Sequence, residues 1–425
     1  MRAGLAAVPY LLRQQHWNRT AALLEGAFIQ DPSRASAAAM LPAITRIADH
    51  DPRYAGVLAL TLRALDPVAA ETRLRAHLEA TVARGDYRAA SATADRLADL
   101  CRDSGRLAEA LTLTDRQADY TRQAGFGPWT QLSDQVQRLQ VLNAMGHAGQ
   151  VLGDVRRLRR HMDALPDRQG PDDIIPPWNV RELLLDTGRA AALELGRWQD
   201  ALDLGAEITA SKHARRAPAN GTARTRYNDH GPLLRLGRTG QALNLLLECR
   251  QVFHDTGDIE MLGKTLTALA DTEDKRGHGD AALRLQRDAL RYTYLAADVT
   301  GIAISYHNLG NYLHRHARQP AAALAAHLTA ALIYALTGMG GTGPGSAAGS
   351  VRAAATDLRV FGTAAEPPAD IADLCHRLAD IEGTDLPALI RQLEPDAETA
   401  EQTLCDLIAQ ARRLAEELPD DDGHG

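Results

Sequence analysis

The densest run of residues able to do chemistry is His307-Asn308-Leu309-Gly310-Asn311-Tyr312-Leu313-His314-Arg315-His316. On a helix His307, Asn311 and His314 share one face, and Asn308, Asn311 and Arg315 form an overlapping stripe. Two imidazoles on one face could begin a metal site, but a third or fourth ligand is required and the stripe holds no acidic residue. Recognition is the better reading, because an Asn amide can bond the backbone of an extended peptide through both its functions. Met261-Leu262-Gly263-Lys264-Thr265 contains the Gly-Lys-Thr of a phosphate-binding loop. The Gly that such a loop needs five residues earlier is Asp258, and no strand pattern precedes it, so Lys264 is expected on a helix surface. Ser305 stands two residues from His307, which puts the two on different sides of a helix. The carboxylate runs Asp172-Asp173 and Asp420-Asp421-Asp422 read as a solvated loop and tail. No nucleophile, base and stabiliser assemble from these parts, so neither enzymatic activity nor a cofactor is expected.

The elements that must position such residues follow from composition. A chain of 425 residues exceeds the usual single core, which implies several domains or a repeat array. Apolar residues make up 45% but aromatics only 4%. A core of Ala, Leu and Val favours helix packed on helix. The net charge of -7 and the dispersal of Lys and Arg among Asp and Glu argue against nucleic-acid binding. The run Arg156, Arg157, Arg159, Arg160 and His161 spreads around a helix as a solvated face. Cys101, Cys249, Cys375 and Cys405 are too scattered for a disulfide frame or zinc site, which fits a reducing compartment. With no uninterrupted apolar span of membrane length and no convincing leader, no membrane partner is expected and the location is read as cytoplasmic.

A recurring tract sets the architecture. Gly85-Asp-Tyr87-x-x-Ala90, Gly105-Arg-Leu107-x-x-Ala110, Gly196-Arg-Trp198-x-x-Ala201, Gly237 to Ala242 and Gly277 to Ala282 repeat one pattern, with degenerate copies at Gly146 and Ala317. Gly accepts the left-handed backbone at a helix end, and Ala lets the next helix pack closely, so each tract predicts a helical hairpin turn. The turns at 196, 237, 277 and 317 are about 40 residues apart, as are 105 and 146. The wider gap from 146 to 196 contains the loop 166–177.

These residues resemble the tetratricopeptide family, whose helix-A Leu-Gly/Ala pair and Gly-x-Tyr-x-x-Ala turn recur at Leu309-Gly310, Leu269-Ala270, Tyr87 and Trp198. The repeat exceeds the common 34-residue module and lacks its terminal Pro. HEAT repeats share the longer period and are the alternative. The order of segments also resembles the repeat regions of actinobacterial STAND-type and CHAT-type signalling proteins. The resemblance implies an all-α, right-handed solenoid of antiparallel helix pairs with a C-terminal helical cap. Degenerate repeats are expected over 1–80, the solenoid over 81–337, a Gly-rich linker over 338–350, further helices over 351–417 and an acidic tail over 418–425. It implies too that the first helix of each pair lines an inner face. On that register the face carries Arg181 and Asp186, then Arg224, Tyr227 and Asn228, then Lys264, Thr267 and Asp271, then His307, Asn308 and Asn311. The expected function is a scaffold binding a protein or peptide partner on that face. The alternative is a sensory arm that contacts and controls an effector enzyme, an NTPase or protease.

Overall fold

The computed structural model describes residues 6–30, 34–50, 54–63, 65–338 and 346–418, and among these the chain is all-α. It divides into two compact units, 1–211 and 212–425. The first holds α1 (Val8–Arg13), α2 (Trp17–Gln30), α3 (Arg34–His50), α4 (Ala55–Arg63), α5 (Pro67–Ala83), α6 (Tyr87–Asp103), α7 (Leu107–Gln123), α8 (Pro128–Ala144), α9 (Ala148–Asp163), α10 (Pro177–Glu194) and most of α11 (Trp198–Ala214). The second holds α12 (Ala219–Tyr227), α13 (His230–Arg235), α14 (Thr239–Thr256), α15 (Ile259–Lys275), α16 (Gly279–Leu295), α17 (Val299–Tyr312), a π-helical turn (Leu313–Ala317), α18 (Pro320–Leu336), α19 (Ala347–Phe361), α20 (Ile371–His376), α21 (Leu386–Leu393) and α22 (Ala397–Glu417). The boundary falls inside α11, where the repeat spacing marks nothing.

Within each unit most consecutive helices pack on one another, and alternate helices touch as well: α4 with α6 and α8 with α10 in the first, α15 with α17 in the second. Hairpins that bury a shared seam in this way form an α-solenoid. The turns explain its regularity. A residue with positive φ recurs at Gly85, Gly105, Gly125 and Gly146, and again at Gly196, Arg216, Gly237, Gly257, Gly277, Ala297, Arg318 and Gly338, every 20 or 21 residues within each run. Turns within and between hairpins therefore use one chemistry, so the 40-residue period is two equal halves. A Cβ at Gly85, Gly105 or Gly257 would meet nothing within 4 Å, so glycine is favoured there by the left-handed backbone and not by space. An Asp next in line then caps the following helix: Asp86 accepts from Ala89 N, Asp258 from Met261 N and Asp298 from Gly301 N.

Three departures from sequence expectation have local causes. The helical periodicity predicts a single helix over 222–236, but it is broken after Tyr227, with Asn228 as the cap. Pro232 cannot donate to the carbonyl four residues back, which is that of Asn228. The expected linker is shorter than 338–350: residues 339–345 lie outside the described residues, but Ala347 to Ser350 are already helical and Ser346 Oγ accepts from Gly349 N. The solvated reading of Asp173 is wrong. It is buried, and its carboxylate accepts from Thr130 N at 3.0 Å and Gly170 N at 3.1 Å, fastening the long loop to the start of α8.

The largest core lies in the second unit. Ala323 to Tyr334 of α18 are buried without a break, as expected of a helix that is apolar all round. Ile302 and Leu309 of α17, Val351 and Ala354 of α19, Leu374, Leu386, and Ala400 and Leu404 of α22 join it in one cluster. The C-terminal helices thus close the apolar face of the last hairpin.

Candidate functional site

The tetratricopeptide-like register distributes its candidate residues over both units. In the first, Asp186 is exposed, while Arg181 pairs with Asp163 at 3.0 Å, donates to Met162 O and lies 5.0 Å from the Trp129 ring centroid. Arg181 therefore anchors the loop after α9.

In the second unit, Arg224 pairs at 2.7 Å with Asp258, the N-cap of α15. Tyr227 donates to Lys264 O and lies 4.7 Å from the His230 ring, and burial pushes its hydroxyl up to about 12. Asn228 is exposed. Lys264 pairs with Glu260, and Lys275 with Asp271, each one turn apart on α15. Such exposed pairs contribute little to stability. Thr267 and Asn308 are half-buried.

His307 and Asn311 have a different setting. They line a groove of about 560 Å³ between α17, the π-turn, α18 and α19, together with His314, Arg315, His327, Gly349, Arg352, Ala353, Thr356 and Asp357. At its base Asp357 is fully buried, and its two carboxylate oxygens each meet an imidazole Nδ1 at 2.6 Å, His314 on one side and His327 on the other. His327 Nε2 lies 3.3 Å from Asn311 Oδ1, and His307 Nδ1 bonds Ser350 Oγ at 3.1 Å. Burial, and then the neighbouring His327, push His307 down to about 4, with Asp357 opposing. His307 is thus a neutral ring at neutral pH. Ser350 is sealed from solvent, so this pair holds α19 in place and is not a nucleophile with its base.

The backbone explains how three histidines meet. The π-turn adds a residue to the helix after Tyr312, turning His314 toward Asp357 while Arg315 and His316 both reach Asp274. Gly310 lets His327 approach: a Cβ there would lie 2.5 Å from the ring. Arg352 is exposed at the rim. His327, Ser350, Asp357 and Arg352 are the residues that sequence reasoning missed. A lone imidazole inside the apolar run 320–336 was the available signal, but its carboxylate lies 30 positions away. Among the described residues no group of three His, Cys, Asp or Glu is placed to hold a metal ion, and no helix is long and apolar enough to cross a membrane.

No family model and no curated protein matches the chain. Solved structures similar to it include BtubC (BKLC) from P. vanneervenii, at 14% identity over 66% of this chain and 94% of that one, with a TM-score of 0.34. A signal transduction ATPase with numerous domains (STAND) carrying a tetratricopeptide repeat sensor, from Pyrococcus horikoshii, is 11% identical over 95% of this chain and 54% of that one, TM-score 0.48. A Rap protein complexed with competence and sporulation factor is 12% identical over 98% and 99%, TM-score 0.44. The chain spans about half the length of the STAND protein. Its tetratricopeptide-like character is carried by its own evenly spaced turns and stacked hairpins.

Proposed function

We propose that this chain is a helical-repeat interaction protein that holds a peptide segment or partner domain, with the groove between α17, α18 and α19 as its principal seat. The observation that carries this is the groove itself, a cavity of about 560 Å³ with an apolar wall at Gly349 and Ala353 and convergent polar groups at Asn311, His314 and Arg352. A concave, mostly apolar site with a few placed polar groups is the usual form of a binding pocket. Asn228 and the Arg224 and Lys264 side chains extend the contact surface along α12 and α15 of the same unit, with Tyr227 tying those helices together.

The test is capture of partners by the full-length chain, compared with two variants. Ala353→Trp fills the groove, and Tyr227→Ala, Asn228→Ala and Asn311→Ala together strip the polar stripe. A partner retained by the wild type and lost from Ala353→Trp, with the helical circular dichroism unchanged, supports the groove. A partner that survives in both variants overturns it.

A further inference from the structure

Charge is unevenly spread along this acidic chain. On α9, Arg156, Arg157, Arg159, Arg160 and His161 are all exposed. Residues 416–422 carry the opposite run, Glu416, Glu417, Asp420, Asp421 and Asp422, with no basic residue among them. We infer that the outward face of α9 seats this acidic segment from a second copy of the chain, so that two copies pair through two reciprocal contacts. The inference is independent of the groove.

The basic run divides once its neighbours are considered. Arg157 pairs with Asp154 at 3.0 Å on the same helix, and Arg159 reaches Glu207 of α11 at 3.1 Å. Asp163 and Asp167, at the end of α9 and just after it, are both held by Arg181 of α10, at 3.0 and 3.6 Å. Among the described residues Arg156 and Arg160 have no hydrogen-bond or ion-pair partner. Four positions apart, they stand one above the other, in line with Gly149 and Gly153. A Cβ on either glycine would meet nothing within 4 Å, so an incoming chain meets no side chain along that line. Arg160, in the last turn, gains from the helix dipole, whereas Arg156 stands too far back to do so. Like charges one turn apart repel, and an anion seated between them removes the repulsion.

The acidic run matches this stripe in sign and in spacing. Glu416 and Glu417 close α22, are exposed and have no partner among the described residues, outside which Asp420 to Asp422 lie. Carboxylates there face the negative end of the helix dipole, with no basic residue in the last turn, so an outside cation relieves them. In an extended segment alternate residues share a side and lie about 6.6 Å apart. One helical turn separates Arg156 from Arg160 by about 6 Å. Asp420 and Asp422 can therefore each meet one guanidinium. A single contact between exposed charges is weak, and a twofold pair makes two. The net charge of -7 opposes indiscriminate association, which leaves the opposite patches to select this one.

The experiment is sedimentation velocity of the full-length chain up to about 100 µM. A dimer is expected at about 50 mM salt, with its dissociation constant raised at least about tenfold at about 300 mM, where screening is stronger. Arg156→Glu with Arg160→Glu, and separately Asp420→Arg with Asp422→Arg, should each give a monomer of unchanged circular dichroism. All four changes together should restore the dimer, a result that a folding defect cannot produce. A fluorescein-labelled peptide of residues 414–425 should bind the Asp420→Arg, Asp422→Arg chain, read by anisotropy, and bind it at least about tenfold more weakly once Arg156→Glu and Arg160→Glu are added. A labelled DNA duplex is the competing probe. A wild type that stays monomeric at low salt overturns the second copy as occupant, and a charge-swapped chain that fails to pair overturns the match of the two runs. A duplex bound more tightly than the peptide assigns the face to nucleic acid and overturns the inference. None of these variants touches the groove, so partner capture there is read separately.

Discussion

At the scale of single residues, two kinds of glycine do different work. At Gly310 space is the constraint, because His327 fills the place of a side chain. Gly310→Ala is expected to cost about 1–3 kcal/mol through overpacking, seen as a lowered melting temperature. In a His327→Ala background the same change should instead stabilise by about 0.5–1 kcal/mol, since Ala is the better residue inside a helix. A cycle without this change of sign would show that the close approach is not what Gly310 serves. At the turns backbone conformation is the constraint, and Ala297 adopts φ 52° where most of its counterparts are Gly. Ala297→Gly relieves a left-handed alanine but loosens the unfolded chain, so a net gain of about 0.5–1 kcal/mol is expected in denaturant melts. The turn glycines were legible in the sequence because left-handed backbone selects one residue type. Arg216 and Ala297 were not, and Arg318 showed only through the degenerate tract at Ala317, because packing of the flanking helices imposes the same conformation on residues that advertise nothing.

At the scale of elements, polar groups buried between helices mark what sequence patterns miss. In the first unit Asp134 of α8 accepts from Gln117 of α7 at 2.9 Å, and Asp95 of α6 lies in the same cluster. Burial pushes both carboxyls up, each to about 6; Asp99 adds to the shift of Asp95, and Asp95 to that of Asp134. Gln117 Oε1 and Asp134 Oδ2 are buried with no hydrogen-bond partner. The folded state holds protons that the unfolded state has released between about pH 4 and 6, so this stabilisation is present at low pH and lost as pH rises through 6. Asp134→Asn keeps the shape and the bond from Gln117. It should flatten that dependence and raise the melting temperature at pH 8; a variant with the wild-type pH profile would show that Asp134 is not titrating there. Helix periodicity reveals that α6, α7 and α8 exist, whereas their meeting at a carboxyl pair depends on packing across 39 residues.

At the scale of the whole molecule, the carboxyl cluster of α6 to α8 and the buried imidazole of α17 respond oppositely to acid. His307 in the second unit is depressed to about 4 by burial and by His327, while Ser350 bonds its ring and Asp357 pulls the other way. Between about pH 6.5 and 4 the unfolded chain binds a proton that folded His307 refuses, so its contribution favours folding at higher pH and is lost as pH falls through that window. Asp95 and Asp134 act in the reverse direction over nearly the same range. Hydrogen exchange on the intact chain, moved from pH 7 to pH 5 and corrected for intrinsic rates, should therefore show amides of α6 to α8 gaining protection. Amides of α17 should lose protection by an amount that His307→Asn removes. The separation of responses is expected because each unit has its own core and opens with its own free energy. A uniform change across both units, or a loss in α17 that persists in His307→Asn, would mean that acid acts on the chain as one cooperative body and that the buried imidazole does not set the response of its unit.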